Sequence, residues 1–376
     1  MAIGDLVLNP DLLGVPTYTR GKSLEDLKRE LGVEDVIKLG SNENPLGPSP
    51  RAIEAIKRVA ADVHRYPSVE THDLKYKLAA SLGPDITTEN IVVGNGSADL
   101  MCSMAQSLLS SGGEVIISKP AFQMYEMATN MYGGQCVFVE AKDFRYDLQA
   151  MADRIDERTR MIFVTNPNNP TGLIVSQDEV DDFMERVPPS VVVVFDEAYR
   201  EYVDARDYPD TIRYVLEGRN VIITRTFSKI YGLAGMRVGY GIASKGLVDY
   251  LLHTQIPFHI GTPALVAAMA SLDDHEHVTK SREANAEGRD YLARSLGEMG
   301  LSVLPSQANF ILTFDFDKDV EEINQALLRQ GVIVRPTDSF RLPQALRITI
   351  GTPEENERLV EALKQALTEP ERVEQD

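Results

Sequence analysis

VVVVFDEAYREY, residues 191–202, sets the fold class. It opens on four valines and a phenylalanine with no polar residue between them, then turns abruptly to Asp196 and Glu197. A strand with one face in water alternates apolar and polar residues. A short unbroken apolar run marks a strand covered on both faces. Similar runs recur on either side, at Ile91–Val93, Val115–Ile117, Val137–Val139, Met161–Thr165, Val221–Thr224 and Val238–Ile242. Helix-like segments such as Ala98–Leu109 and Ser176–Val187 lie between most of them. Strands alternating with helices predict an α/β fold, with a mostly parallel seven-stranded sheet in a large domain over residues 46–270.

The last hundred residues read differently. They predict a helix at Thr279–Met299, a strand at Asn309–Thr313, a helix at Val320–Gln330, strands at Val332–Arg335 and Leu346–Ile350, and a closing helix from Glu354 to Leu367. Gly331 stands where a helix C-terminus calls for positive φ. This pattern suits a smaller α+β domain built from both chain ends, residues 1–45 and 271–376, and a chain of 376 residues suits two domains.

Lys and Arg number 38 against 57 Asp and Glu, a formal charge of −19 that argues against a general affinity for nucleic acid or anionic membrane. The two cysteines, Cys102 and Cys136, cannot build a disulfide framework, and the six histidines show no metal-ligand spacing. A reduced, cytoplasmic compartment and a protein without a metal are expected. The first residues carry no basic run before Arg20, and Asp5 and Asp11 interrupt their apolar stretch, so no signal peptide is expected. No run of about 18 apolar residues is present to cross a membrane.

Four segments carry chemistry. In TRTFSKIYGLAGMRVGY, residues 224–240, Lys229 follows a strand among the hydroxyls of Thr226 and Ser228, with Arg237 eight residues on. A lysine in a partly enclosed, cation-rich pocket is readily neutral and nucleophilic toward aldehydes, while two hydroxyls and a guanidinium suit a phosphate. Taken alone, a Ser-Lys pair is usually a solvated loop. Asp196 closes its buried strand at the edge where α/β sheets build sites, although an Asp-Glu pair also commonly starts a helix. TNPNNPTG, residues 165–172, reads by itself as a tight Pro/Gly turn in which Asn side chains bond the backbone. VVGNGSADLM, residues 92–101, is a strand, a Gly-rich turn and a helix start, whose free N–H groups suit phosphate; it has neither the P-loop ending nor the dinucleotide glycine spacing.

In order, GNGSAD, NPNNPTG, DEAY and TFSKIYGLAGMRVG resemble the pyridoxal-phosphate aminotransferases of fold type I, from about Ser41 to Ile350. SNENPLGPSP at 41–50, HRYPS at 64–68, GVIVRP at 331–336 and LRITIGTPEE at 346–355 are similar to the histidinol-phosphate branch of that family. The resemblance implies pyridoxal 5'-phosphate as cofactor, with Lys229 forming the Schiff base and Asp196 bonding the pyridinium nitrogen. It implies that Asn169 and Tyr199 bond the ring's phenolic oxygen and that Phe122, where many relatives carry Tyr, stacks on the ring. The phosphate would fall to the backbone amides of Ser97 and Ala98 with Thr226, Ser228 and Arg237. Relatives often have Asp at position 98 and Glu at position 99, where this chain has Ala98 and Asp99; contact through backbone N–H tolerates that change.

The same resemblance implies a homodimer with shared sites, in which Tyr66 reaches the phosphate held by a second copy. It implies Tyr18, Arg335 and Arg347 as substrate residues. The plain alternatives are edge-strand surface charges for the arginines and a packed N-terminal anchor for Tyr18. The implied reaction moves an amino group between glutamate and a phosphorylated imidazole ketone, in two halves. An aromatic amino-acid aminotransferase, a phosphothreonine decarboxylase and a cofactor-binding regulator are the alternatives; the last would want a DNA-binding extension, and this chain has neither the length nor the charge for one.

Overall fold

The computed structural model describes residues 35–109 and 112–368, together with Val15, Arg29 and Gly32. Tyr18 lies outside these residues. In chain order the strands are β1 (Ile37–Lys38), β2 (Ile91–Gly94), β3 (Glu114–Lys119), β4 (Gln135–Glu140), β5 (Thr159–Thr165), β6 (Val192–Asp196) and β7 (Val221–Thr226). Then follow β8 (Gly239–Ala243), β9 (Ser302–Val303), β10 (Phe310–Phe314), β11 (Val332–Ile333), β12 (Arg335–Pro336) and β13 (Ala345–Thr349).

Seven of these form one sheet in the order β2-β8-β7-β6-β5-β3-β4. Its apolar runs are unbroken because period-two alternation splits each run between two covered faces. On β6, Val193 and Phe195 join one core while Val192 and Val194 join the other. On β5, Ile162 and Val164 face the first core, Met161 and Phe163 the second. The edge strand β4 departs from this: Gln135 and Glu140 are exposed, as an edge with one uncovered flank allows.

All neighbouring pairs are parallel except those made by β8, which runs antiparallel to both β2 and β7. That reversal matters for the site. The chain turns back through residues 227–238 and re-enters the sheet beside the strand it has just left, with Gly239 opposite Thr226. Lys229 and Arg237 are thereby held at the carboxyl edge of the sheet, where β5, β6 and β7 also end.

A separate apolar cluster gathers Leu39 with residues between Leu292 and Ala366. It packs the helices His275–Glu298, Val320–Arg329 and Pro353–Thr368 on an antiparallel sheet ordered β12-β13-β10-β9. The first of these helices begins four residues before the expected Thr279, with Asp274 accepting from His277 N as its cap. Gly331 follows the helix Val320–Arg329 at φ +74°, as its position called for. The run Val332–Arg335 differs from its expectation as one strand. It changes partner at Val334: β11 pairs in parallel with β1, and β12 pairs with β13.

Candidate active site

A cavity of about 300 Å³ opens at the carboxyl edge of the large sheet, between it and the β12–β13 ladder. Ser97, Ala98, Phe122, Asn169, Asp196 and Tyr199 line it, as do Thr226, Ser228, Lys229 and Arg237. Arg335 and Arg347 line it from the other side. Residues drawn from seven stretches of sequence thus meet in one hollow.

One end of the cavity is a cradle of backbone. The helix Ser97–Leu108 starts after Gly96, and among the described residues no side chain caps its first N–H groups. Such a helix end presents donors and a positive dipole to an anion. Gly96 sits at φ +83°, and a Cβ there would stand 2.6 Å from Arg237 Nη2; a Cβ on Gly239 would stand 2.8 Å from Ser97 N. Only glycine leaves this space open. Arg237 itself is held at φ +54°, a backbone state non-glycine residues seldom adopt, and Nη1 donates to Ala234 O at 2.9 Å. The same Nη1 also lies 3.5 Å from Ser228 Oγ.

Above the cradle stand Lys229 and Asp196. The strand ends place Thr165 opposite Asp196 and Asp196 opposite Thr224. Asp196 is 3% exposed and accepts from Tyr125 Oη at 2.7 Å, Thr224 Oγ1 at 3.1 Å and Ala198 N at 3.2 Å. Burial pushes its carboxyl above the ordinary range, and those three neutral donors oppose the shift. Behind it Glu197, also buried, receives Arg225 Nε at 2.9 Å, which ties the ends of β6 and β7 together from the far side. Lys229 Nζ donates to Ser41 O at 3.2 Å. Burial first, then the Arg347 and Arg237 guanidiniums, bring its ammonium down to about 8, against the pull of Glu43 and Asp196. A substantial neutral fraction therefore exists near pH 8.

NPNNPTG forms the backbone-bonded turn its own sequence reading expects, and it also turns one side chain to the cavity. Asn166 clamps Val175 through both its amide ends, at 3.1 Å each, and Asn168 donates to Pro120 O at 3.2 Å. Asn169 instead faces the cavity and accepts from Arg347 Nη1 at 2.6 Å.

The far end of the cavity is made of side chains. Arg335 stands directly opposite Arg347 in the β12–β13 ladder. Cross-strand partners share a face of the sheet, so both guanidiniums point the same way. Both are buried, at 8% and 6% exposure, which excludes a role as surface charges. Arg347 Nη2 also donates to Gly40 O at 2.8 Å, Arg335 Nη2 donates to Ser339 Oγ at 3.2 Å, and the Phe340 ring lies 5.9 and 5.5 Å from the two guanidinium carbons.

Several contributors were not singled out in the sequence. Asn42, at φ +55° and 1% exposure, donates to Tyr199 Oη at 2.9 Å and fixes its phenol. Asn44 donates to Ile230 O at 2.7 Å, next to Lys229. The motif SNENP carries both, but nothing local says what they bond. Thr165, Tyr125 and Phe340 also line the cavity; Tyr125 follows Phe122 at helical spacing, the one hint available. Tyr66 lies away from the cavity at 83% exposure, its ring 4.7 Å from that of Phe258.

The residues present fit pyridoxal phosphate. A glycine cradle at a helix start suits its phosphate, a buried carboxylate held by neutral donors suits a protonated ring nitrogen, and a depressed lysine suits its aldehyde.

The family model for aminotransferase class I and II matches residues 34–363. The chain is 48% identical to histidinol-phosphate aminotransferase from Moorella thermoacetica, over 95% of this chain and 92% of that protein. It is 45% identical to the enzyme of the same name from Akkermansia muciniphila, over 96% and 98%. Among solved structures, histidinol-phosphate aminotransferase from Sinorhizobium meliloti in complex with pyridoxal-5'-phosphate has a TM-score of 0.87 at 29% identity, covering 96% of this chain and 97% of that one. Aspartate aminotransferase from Thermus thermophilus with maleate has a TM-score of 0.83 at 23% identity, a likeness of fold.

Proposed function

The chain belongs to the class I and II aminotransferase family, and on that premise we propose that it transfers an amino group between glutamate and imidazole-acetol phosphate, giving 2-oxoglutarate and L-histidinol phosphate in histidine biosynthesis. The observation that carries this reading is the pair Arg335 and Arg347, held opposite each other and facing the cavity that contains Lys229. Two guanidiniums can clamp either a carboxylate or a phosphate monoester, which are the far ends of the two substrates.

When bound, pyridoxal phosphate supplies an aldehyde for the amine and an electron-withdrawing ring. The uncapped N–H groups of Ser97 and Ala98, with Thr226, Ser228 and Arg237, would hold its phosphate. Asp196 would keep the ring nitrogen protonated. Asn169 and Tyr199 would bond the phenolic oxygen, and Phe122 would close one face. Lys229 Nζ, neutral in a sizeable fraction near pH 8, would attach the cofactor. The same nitrogen would take the proton from the substrate α-carbon as general base and give it back as general acid. Arg347 binds at the far end while also holding Asn169, so it links the seat of the substrate to that of the ring. Tyr18, which lies outside the described residues, would join Arg335 and Arg347 around the phosphate.

The division into a large domain, residues 46–270, and a small one from residues 1–45 and 271–376 belongs to this reading; two separate apolar clusters support it. So does a homodimer in which Tyr66 serves the neighbour's phosphate. Its support is the exposed Tyr66–Phe258 ring pair, with Val63, Val69 and Ile256 also exposed on the same two segments. The cytoplasm is the proposed compartment. No helix among the described residues is long and apolar enough to cross a membrane.

The deciding experiment is an acceptor panel. Imidazole-acetol phosphate should be aminated by glutamate with a kcat/KM at least about tenfold above that of phenylpyruvate, roughly the worth of one charge-assisted hydrogen bond. The reverse preference would make the chain an aromatic aminotransferase.

A further inference from the structure

The Asp196 carboxylate ends a line of hydroxyls to which the activity proposed above assigns no part. Tyr146 Oη donates to Thr165 Oγ1 at 3.2 Å. Thr165 Oγ1 and Tyr125 Oη are 2.7 Å apart. Tyr125 Oη donates to Asp196 Oδ2 at 2.7 Å. A hydroxyl has one proton to give. That of Tyr125 goes to the carboxylate, so Thr165 donates to Tyr125, and Tyr146 in turn donates to Thr165. Every proton in the line points toward Asp196.

The line is buried and packed against aromatic rings. Tyr146 is 6% exposed, Thr165 3% and Tyr125 0%. Tyr125 is stacked on Phe163 at 4.3 Å and 16° and meets Phe122 edge-on at 5.8 Å. Its three members come from separate places: the helix Met124–Met131, the end of β5, and the residue before Asp147, which caps the helix Leu148–Ala152. In a low-dielectric interior a hydroxyl donates more strongly when its own oxygen accepts. The other groups facing Asp196 are Thr224 on β7, the backbone N–H of Ala198, the Lys229 amine and the Glu197 carboxylate. Burial and Glu197 push the Asp196 carboxyl up; the Tyr125 bond opposes them.

We propose that Tyr146, Thr165 and Tyr125 form a one-way hydroxyl relay that keeps Asp196 ionised and oriented toward the cofactor's ring nitrogen. Tyr125 is its positioning residue, and the two outer hydroxyls strengthen Tyr125's bond. The inference rests on the reading of Asp196 as the partner of that nitrogen.

The test measures binding to cofactor-free protein, with pyridoxal phosphate and with its deaza analogue, in which the ring nitrogen is replaced by C–H. Tyr125→Phe should raise the Kd for pyridoxal phosphate by about tenfold, the loss of one bond to a charged group. Tyr146→Phe should raise it by about two- to threefold through cooperativity. Neither should change the Kd of the deaza analogue by more than about twofold, because no charged nitrogen is there to be served. In cofactor-free protein, carbon-13 NMR should show the Asp196 carboxyl titrating higher in both variants than in the wild type, with Tyr125→Phe moving it further. Should Tyr125→Phe fail to fold, Tyr146→Phe and its titration decide alone. Equal weakening of both ligands would reduce the hydroxyls to packing and overturn the relay. So would a Tyr146→Phe variant indistinguishable from the wild type in both readouts. Asp196→Asn separates the two levels: if it weakens both ligands equally, the assignment of Asp196 falls, and the relay with it. If it weakens pyridoxal phosphate selectively and the hydroxyl variants do not, the relay alone falls.

Discussion

The cavity carries groups suited to anions at both ends, and the ends are built differently. One is framed by backbone: the start of a helix, two glycines and a strand reversal, within residues 94–98 and 226–239 on neighbouring strands of one sheet, with Thr226, Ser228 and Arg237 set into that frame. The other is two guanidiniums on long stems from a second sheet, with Phe340 beside them. Backbone donors cannot move without moving the fold, which suits a resident phosphate. Guanidiniums can re-aim and accept different planar or tetrahedral anions, which suits a seat that must take a carboxylate in one half-reaction and a phosphate in the other. The difference separates what is held from what is exchanged.

The hardest blow to the comparison falls between the two ends. Lys229→Met should lower both half-reactions on the order of 10⁴-fold, the upper range for a proton-transfer group, read by single-turnover absorbance. If one half-reaction survives within tenfold, the two ends do not share one lysine.

The same variant should also change stability. In cofactor-free protein Lys229 is depressed to about 8 from an ordinary 10.5. Between those values the unfolded chain binds more protons, so wild-type stability rises with pH across that window and is lowest below it. Lys229→Met removes the penalty and should be more stable at pH 7 by about 3 kcal/mol. The gain should vanish as pH rises from 8 toward 10.5. Denaturant melts across that range check it, and a gain independent of pH would mean that packing, not charge, is responsible.

At the side-chain end, Arg335→Ala should lower kcat/KM for histidinol phosphate by about tenfold or more, the worth of a charge-assisted bond, and that for glutamate much less. Arg347→Ala should damage both halves, since it also releases Asn169. Equal losses for the two substrates in Arg335→Ala would refute an exchangeable two-arginine seat.

The smallest effect is expected at the backbone end. Gly96→Ala places a Cβ against Arg237 Nη2, the tip of a side chain that can shift, and costs at least about 1 kcal/mol for a backbone at φ 83°, ψ 164° that is essentially glycine's alone. Cofactor affinity should fall by roughly fivefold with substrate KM little changed. A change in KM as large as the change in cofactor affinity would erase the distinction between the ends.

Much of this was legible in the linear chain because it depends on neighbours in sequence. An unbroken VVVVF needs two apolar faces, wherever those faces come from. Gly331 ends a helix by its own backbone freedom, and Lys229 among Thr226, Ser228 and Arg237 is a local arrangement of charge and hydroxyl. Strand direction and pairing were decided elsewhere. The antiparallel β8 and the change of partner at Val334 depend on which strand lies alongside, which no single run encodes. Tyr125 reads as one more aromatic on an apolar helix until β5 and β6 align Thr165 and Asp196 beside it. Arg335 and Arg347 become a pair only through the β12–β13 register. Residue type and spacing therefore determined which chemistry this chain carries. Only tertiary structure decided which groups face each other, because hydrogen bonds and charges act over a few ångströms, and here those distances are crossed between residues up to several hundred positions apart.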